Sequence, residues 1–171
     1  ASSIAIGAFD SSEVNATLTN NQFNGVNNTP SLAMRLVGDG GVGNDNFVGR
    51  FLISGNTVTG LENSILALSR NTAAGRLDVN ILNNTINTNS VVFQESILLN
   101  TVTATAQMCV NVQGNSVTHG GAADDIGILP QLGSTIQVAQ ANSGAISTAN
   151  GGASVYTEGN ITYNVVCQTP Q

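Results

Sequence analysis

Val79-Asn80-Ile81-Leu82-Asn83-Asn84-Thr85-Ile86 alternates apolar and polar residues, then sets two asparagines side by side ahead of one more apolar residue. An extended chain sends alternate side chains to opposite faces, so Val79 and Ile81 share the buried face of a short strand. Asparagine tolerates positive φ; the Asn pair therefore turns the chain, and Ile86 re-enters the interior beyond the corner. The same pattern (apolar, any, apolar, any, Asn or Gly, Asn, any, apolar) occurs at residues 16–23, 51–58 and 110–117. The asparagines common to the copies are Asn21, Asn56, Asn84 and Asn115, separated by 35, 28 and 31 residues. Self-similarity at such a period marks a solenoid with one copy per turn.

Between copies lies a second apolar segment: Met34-Arg35-Leu36, Ile65-Leu66-Ala67-Leu68, Ile97-Leu98-Leu99 and Ile126-Gly127-Ile128-Leu129. Each turn then holds two or three short strands. β-Branched residues and Gly/Asn punctuation recur throughout, and no stretch carries a capped i, i+3, i+4, i+7 stripe, so helices are expected to be rare. The 171 residues fit one domain. Within it we expect an N-terminal strand or cap at 1–13, repeat coils at 14–130 and a C-terminal cap at 131–171.

Coils of this length with Asn corners resemble the right-handed parallel β-helix repeat proteins, over residues 14–130. The resemblance implies an all-β chain, a right-handed parallel β-helix of about four to five coils with a β-strand C-terminal cap. Coils stacked about 4.8 Å apart would place Asn21, Asn56, Asn84 and Asn115 in one column. Their amides would then form a hydrogen-bonded Asn ladder, or else satisfy only turn geometry and face water. In the same register Arg50 precedes Phe51 and Asp78 precedes Val79. They are expected to be outward-facing, exposed neighbours on adjacent coils, a pair worth up to about 1 kcal/mol. Cys109 precedes Val110 in the same way, so it points away from the core, and the segment carrying Cys167 is expected to pack there.

The two cysteines are too far apart for a CxxC motif and form either one disulfide or two buried thiols. The charge-poor surface and the place of Cys167 near the C-terminus favour the disulfide. From Gln131 onward the repeat is lost, and strands are expected at 134–138, 154–157 and 161–166 in a Gly/Ser/Ala-rich background. Cys109-Val110-Asn111-Val112-Gln113-Gly114-Asn115, then Asp125-Ile126-Gly127-Ile128-Leu129, then a last Cys is similar to the C-terminal ends of large bacterial cell-surface β-helix proteins. In those, a Cys-x-Asn-apolar-x-Gly-Asn segment and a final Cys frame the cap. The resemblance implies the same framing by Cys109 and Cys167 here.

Composition narrows the function. Apolar residues make up 41% of the chain but charged residues only 8%, so Asn, Ser, Thr and Gly must supply the wetted surface. There is no Lys, and Arg35, Arg50, Arg70 and Arg76 are scattered through a chain of formal charge −6. Phosphate-tracking nucleic-acid binding and polybasic membrane association both need clustered positive charge and are excluded. No apolar run is long enough to span a bilayer. The start at Ala1-Ser2-Ser3, with neither Met nor leader, suggests a processed or excised chain, in keeping with export to the cell surface.

Sought chemistry is mostly missing. Asp124-Asp125 is an acidic doublet with His119 nearby, but a glycosidase needs two carboxylates facing each other across a cleft, and adjacent strand residues point apart. With one His and no Gly-x-Ser-x-Gly elbow, a nucleophilic triad has no support. Residues 40–47, Gly40-Gly41-Val42-Gly43-Asn44-Asp45-Asn46-Phe47, match one copy of the calcium nonapeptide. Ca²⁺ held by Asp39 and Asp45 is thus the one cofactor the sequence raises, although a single copy supplies only part of a ligand set. Thr17/Thr19 and Thr57/Thr59 fall at different places in their copies, which argues against a flat threonine face for ice.

These readings lead to a non-enzymatic, extracellular, adhesin-like structural module of a bacterial surface protein, whose partners are host or surface glycans. The alternative is a filament subunit that stacks on itself through an apolar edge at Ile4, Ile6 and Phe9. A polysaccharide-active enzyme is the third reading.

Overall fold

Each Asn-cornered copy folds as the pattern dictates: a strand, a one-residue left-handed bend, the shared Asn and a shorter strand. The structure is a computed structural model that describes residues 2–25, 32–40, 46–61, 63–70, 75–88, 95–121 and 124–171. The first turn comprises β1 (Ser2–Phe9), β2 (Glu13–Thr19) and β3 (Gln22–Asn24). The second comprises β4 (Leu32–Asp39), β5 (Val48–Ser54) and β6 (Thr57–Thr59). The third comprises β7 (Asn63–Arg70), β8 (Arg76–Leu82) and β9 (Thr85–Thr88). The fourth comprises β10 (Ile97–Thr101), β11 (Gln107–Gln113) and β12 (Ser116–His119). Next come β13 (Ile126–Pro130), β14 (Thr135–Val138) and a helix α1 (Ser143–Ala149), followed by β15 (Val155–Thr157) and β16 (Asn160–Thr162).

These strands form a parallel β-solenoid with three sides. Two sides are six-stranded sheets, β1-β4-β7-β10-β13-β15 and β2-β5-β8-β11-β14-β16, and the third is the four-stranded sheet β3-β6-β9-β12. The register aligns like with like. Ala16, Phe51, Val79, Val110 and Val138 form one inward column. Met34, Ile65, Ile97 and Ile126 form another on the first sheet, and Phe23, Val58, Ile86 and Val117 a third on the short sheet. From the second coil onward these columns are buried and merge into one core. Parallel strands with such columns gain most of their stability from this apolar burial.

The corner residues explain the Asn/Gly alternation in the repeat. Asn20, Gly55, Asn83 and Gly114 all have positive φ, at 57°, 67°, 56° and 71°. The Asn83 side chain lies over the Cα of Gly114 on the next coil, where any Cβ would collide with its Oδ1. Gly114 is therefore required twice, for its φ and for its bareness.

Loss of the Asn repeat after residue 130 does not end the stack, because β14, β15 and β16 continue the two longer sheets. The alternation of Ile136 and Val138 suffices to bury β14 against Met108 and Val110. Likewise the stack starts ahead of residue 14, since β1 pairs with β4 along its length. Helices are rare, as expected; α1 is one short helix, packed against β11 and β15 just ahead of the Asn150 corner. Asn142 caps it by accepting from the Ala145 N–H at 2.8 Å, and Ile146 packs into the core. The strand expected at 161–166 ends at Thr162. Asn164, at φ 60°, then turns the chain out of the sheet, and the last residues run across its outer surface.

Candidate functional site

The outer face of the second long sheet carries, in register, Asn15 on β2, Arg50 on β5, Asp78 on β8, Cys109 on β11 and Gln137 on β14. These positions precede the first inward residue of each copy, so they point outward. Across them lies the C-terminal segment. Asn164 N–H donates to Gln140 O at 3.2 Å and Val165 N–H to Val138 O at 3.1 Å. Cys167 is joined to Cys109, closing a loop of sequence separation 58. In the loop-entropy account such a closure stabilises by about 4 kcal/mol. Gln168 then reaches two coils at once, its N–H donating to Asp78 Oδ1 at 3.0 Å and its Oε1 accepting from Arg50 Nε at 2.7 Å.

This segment corrects the expected Arg50–Asp78 ion pair. The two are register partners, but they are not an exposed pair. Asp78 is fully buried beneath the C-terminal segment and is held by Arg76, Nε to Oδ2 at 2.8 Å and Nη2 to Oδ1 at 2.9 Å. That fork, more than the opposing burial, raises the Arg76 pKa above its ordinary value. Arg50 turns the other way, to the carboxylate of Glu13, whose pKa is lowered chiefly by the Arg50 hydrogen bond and then by Asn15. Like-with-like stacking and the packing of the Cys167 segment against Cys109 were legible in the sequence; the re-partnering of Arg50 and Asp78 beneath that segment was not.

A second chain of amides crosses the same flank. Gln140 Nε2 donates to Asn111 Oδ1 at 2.9 Å, Asn111 Nδ2 to Asn80 Oδ1 at 3.4 Å and Asn80 Nδ2 to Gln168 O at 2.8 Å. Asn80 and Asn111 hold the second position of their copies, a signal present in the repeat but not read as a site.

Inside the corner, the expected Asn ladder is present. The backbone N–H and side-chain amide of Asn21 both donate to Asn56 Oδ1, each at 2.9 Å. Asn56 does the same to Asn84, and Asn84 to Asn115. The other amide hydrogen of each buried rung goes to a carbonyl of the preceding coil: Leu18 O from Asn56, Ile53 O from Asn84 and Ile81 O from Asn115. A fifth rung lies outside the repeat. Asn150, the C-cap of α1, accepts the N–H and amide of Asn115 at 3.0 and 2.8 Å, and donates its own amide to Val112 O and Ile146 O.

The ladder therefore has a direction, and its ends differ. At Asn150 the amide is consumed. At Asn21 no donor among the described residues reaches Oδ1, and the inward residues of the first coil, Ile4, Ile6, Val14, Ala16 and Leu18, are only partly buried. Phe9 has the opposite parity to Ile4 and Ile6 and stands on the outer face, 52% exposed.

The remaining sequence candidates are engaged in local structure. Asp125 accepts from the Ser154 N–H at 2.8 Å, and His119 Nδ1 accepts from the Gly121 N–H at 3.0 Å. Asp45 of the calcium motif lies outside the described residues, and Asp39 faces Arg70 at 3.7 Å. Among the described residues, the one convergence of three potential metal-ligating groups is Asp78, Cys109 and Cys167, where both sulfurs are bonded to each other. No helix among these residues is long and apolar enough to cross a membrane. Comparison with protein-family models, with curated proteins and with solved structures finds no match to this chain.

Proposed function

We propose that this chain is a non-enzymatic structural module, the adhesin-like solenoid part of an extracellular bacterial surface protein. One observation carries the reading: the C-terminal segment straps the outside of the stack through the Cys109–Cys167 disulfide and hydrogen bonds on successive coils. A disulfide suggests a non-reducing environment, and a strap of this kind resists fraying from one end of a stack held only by neighbour contacts. The Asn, Thr and Ser side chains on the flanks suit weak hydrogen bonding to glycans. Incubation of the purified chain with neutral and acidic polysaccharides tests the reading, scoring pull-down and newly released reducing or unsaturated ends together. Retention without cleavage fits it; cleavage abolished by Asp125→Asn, in a variant that keeps its melting temperature, would replace it with the enzyme reading.

End-to-end association by strand addition is the second reading, favoured by the open acceptor at Asn21 and by β1, β2 and β3 standing at the edges of their three sheets, unpaired on that side among the described residues. Because the ladder is terminated at Asn150, addition on this reading occurs at the N-terminal end. Light scattering on the native chain and on Ile6→Asp tests it. Concentration-dependent assembly lost in Ile6→Asp supports addition, and a monomer at all concentrations rejects it.

A further inference from the structure

Of the four arginines, Arg50 and Arg76 are held by the carboxylates of Glu13 and Asp78, and Arg70 faces Asp39 at 3.7 Å. Arg35 alone has no hydrogen-bond or ion-pair partner among the described residues, and its Nε is buried. The cause lies in the register. On the outer face of the first sheet Arg35 stands between Ala5 on β1 and Leu66 on β7, so its register partners offer no side-chain acceptor. A guanidinium N–H withdrawn from water without an acceptor is a standing cost.

Arg35 borders a groove of about 240 Å³. Gly7 and Val37, themselves register partners, also line it, together with Phe9 and Arg70. The ring of Phe9 lies against Gly7, where a Cβ would overlap it, so the bare glycine is what lets the ring fold over this face. Arg70 is in register with Asp39, and Asp39 with Phe9, which brings the second guanidinium to the ring from two strands away. Two guanidinium groups, Arg35 and Arg70, thus border the groove, with the Asp39 carboxylate facing Arg70.

We propose that this groove binds a small organic carboxylate, the carboxylate on the Arg35 fork and its carrying ring or apolar stem against Phe9 and Val37. A planar guanidinium fork matches a carboxylate in two parallel hydrogen bonds, and the apolar wall favours an acid that carries a ring over a bare inorganic anion. The volume accommodates one ring. The proposal does not depend on the structural-module reading, because it concerns the outer face of β1 and β4 rather than the strapped flank.

Titration of the intact, disulfide-bonded chain with glucuronate, phenylacetate and inorganic phosphate, followed by amide chemical shifts, tests it. Saturable shifts around Gly7, Arg35 and Val37 are expected with at least one carboxylate, weakened about tenfold in Arg35→Gln, with Arg35→Lys recovering little because it lacks the fork. A response to glucuronate identifies a sugar acid, and one to phenylacetate alone an apolar acid. Absence of saturation with both carboxylates, or phosphate binding as well as either, overturns the proposal. So does unchanged affinity in a folded Arg35→Gln variant.

Discussion

The backbone N–H and the side-chain amide of Asn84 converge on a single oxygen, Oδ1 of Asn115, at 2.9 and 2.8 Å, although 31 residues separate them in sequence. Both residues are buried, so the corner would otherwise hold polar groups with no water to satisfy them. The ladder makes the corner dry and satisfied at once.

Position on the ladder sets the cost of losing a rung. Asn84→Ala removes the shared acceptor of Asn56 and the donor to Ile53 O, leaving several buried groups unpaired, and is expected to cost about 3 kcal/mol. Asn21→Ala, at the open end, is expected to cost less than about 1 kcal/mol. Urea denaturation of the two variants measures the difference, and equal costs would mean that the column does not act as a ladder.

Reduction should loosen the strap before the stack. Cys167→Ser is expected to lower stability by up to about 4 kcal/mol and to speed hydrogen exchange at Gln168, whose N–H is held by Asp78. The core strands β8 and β11 should keep their protection relative to global unfolding. Exchange mapped by mass spectrometry with and without reductant reads this directly.

The two demands on Gly114 separate by substitution. Gly114→Ala meets both the positive φ and the Asn83 side chain, whereas Gly133→Ala meets only a φ of 80°, with nothing within 4 Å of its added methyl. Each pays roughly 1 kcal/mol for backbone strain, and Gly114→Ala is expected to be the more destabilised of the two. Melting temperatures of the pair, with Asn83→Gly added to Gly114→Ala as a rescue, test the assignment.

Glu13 gives the flank a small pH dependence. Its pKa is lowered when folded, so its stabilising contact with Arg50 is complete above the usual Glu range and is lost as pH falls through the depressed value. Melting temperatures of the native chain and of Glu13→Gln should therefore differ near neutrality and converge in acid. A gap that widens in acid would contradict the sign.

The ladder and the core were legible because both follow from a repeat: like residues at like positions become neighbours once the coils stack in register. The column Phe51, Val79, Val110 and the rungs Asn56, Asn84, Asn115 were thus readable without coordinates. Cys109 was readable too, since its parity turned it outward toward the Cys167 segment. What escaped was whatever broke the period. Asn150 joins the ladder from a helix end, where no repeat announces it. The burial of Asp78 depends on a segment about 90 residues away in sequence, and its partner Arg76 lies two positions back on the same strand and face. Arg35 escaped for a third reason, since an unpartnered cation is visible only once every neighbour is placed.

The stacked Asn corner is the central structural claim, and scalar couplings across its hydrogen bonds test it most directly. In an isotopically labelled sample, the backbone nitrogens of Asn56, Asn84 and Asn115 should correlate with the side-chain carbonyl carbons of Asn84, Asn115 and Asn150 respectively, and their amide protons should exchange slowly. Absence of these correlations, together with exchange as fast as at an exposed loop residue such as Leu132, would contradict the ladder and the coil register built on it.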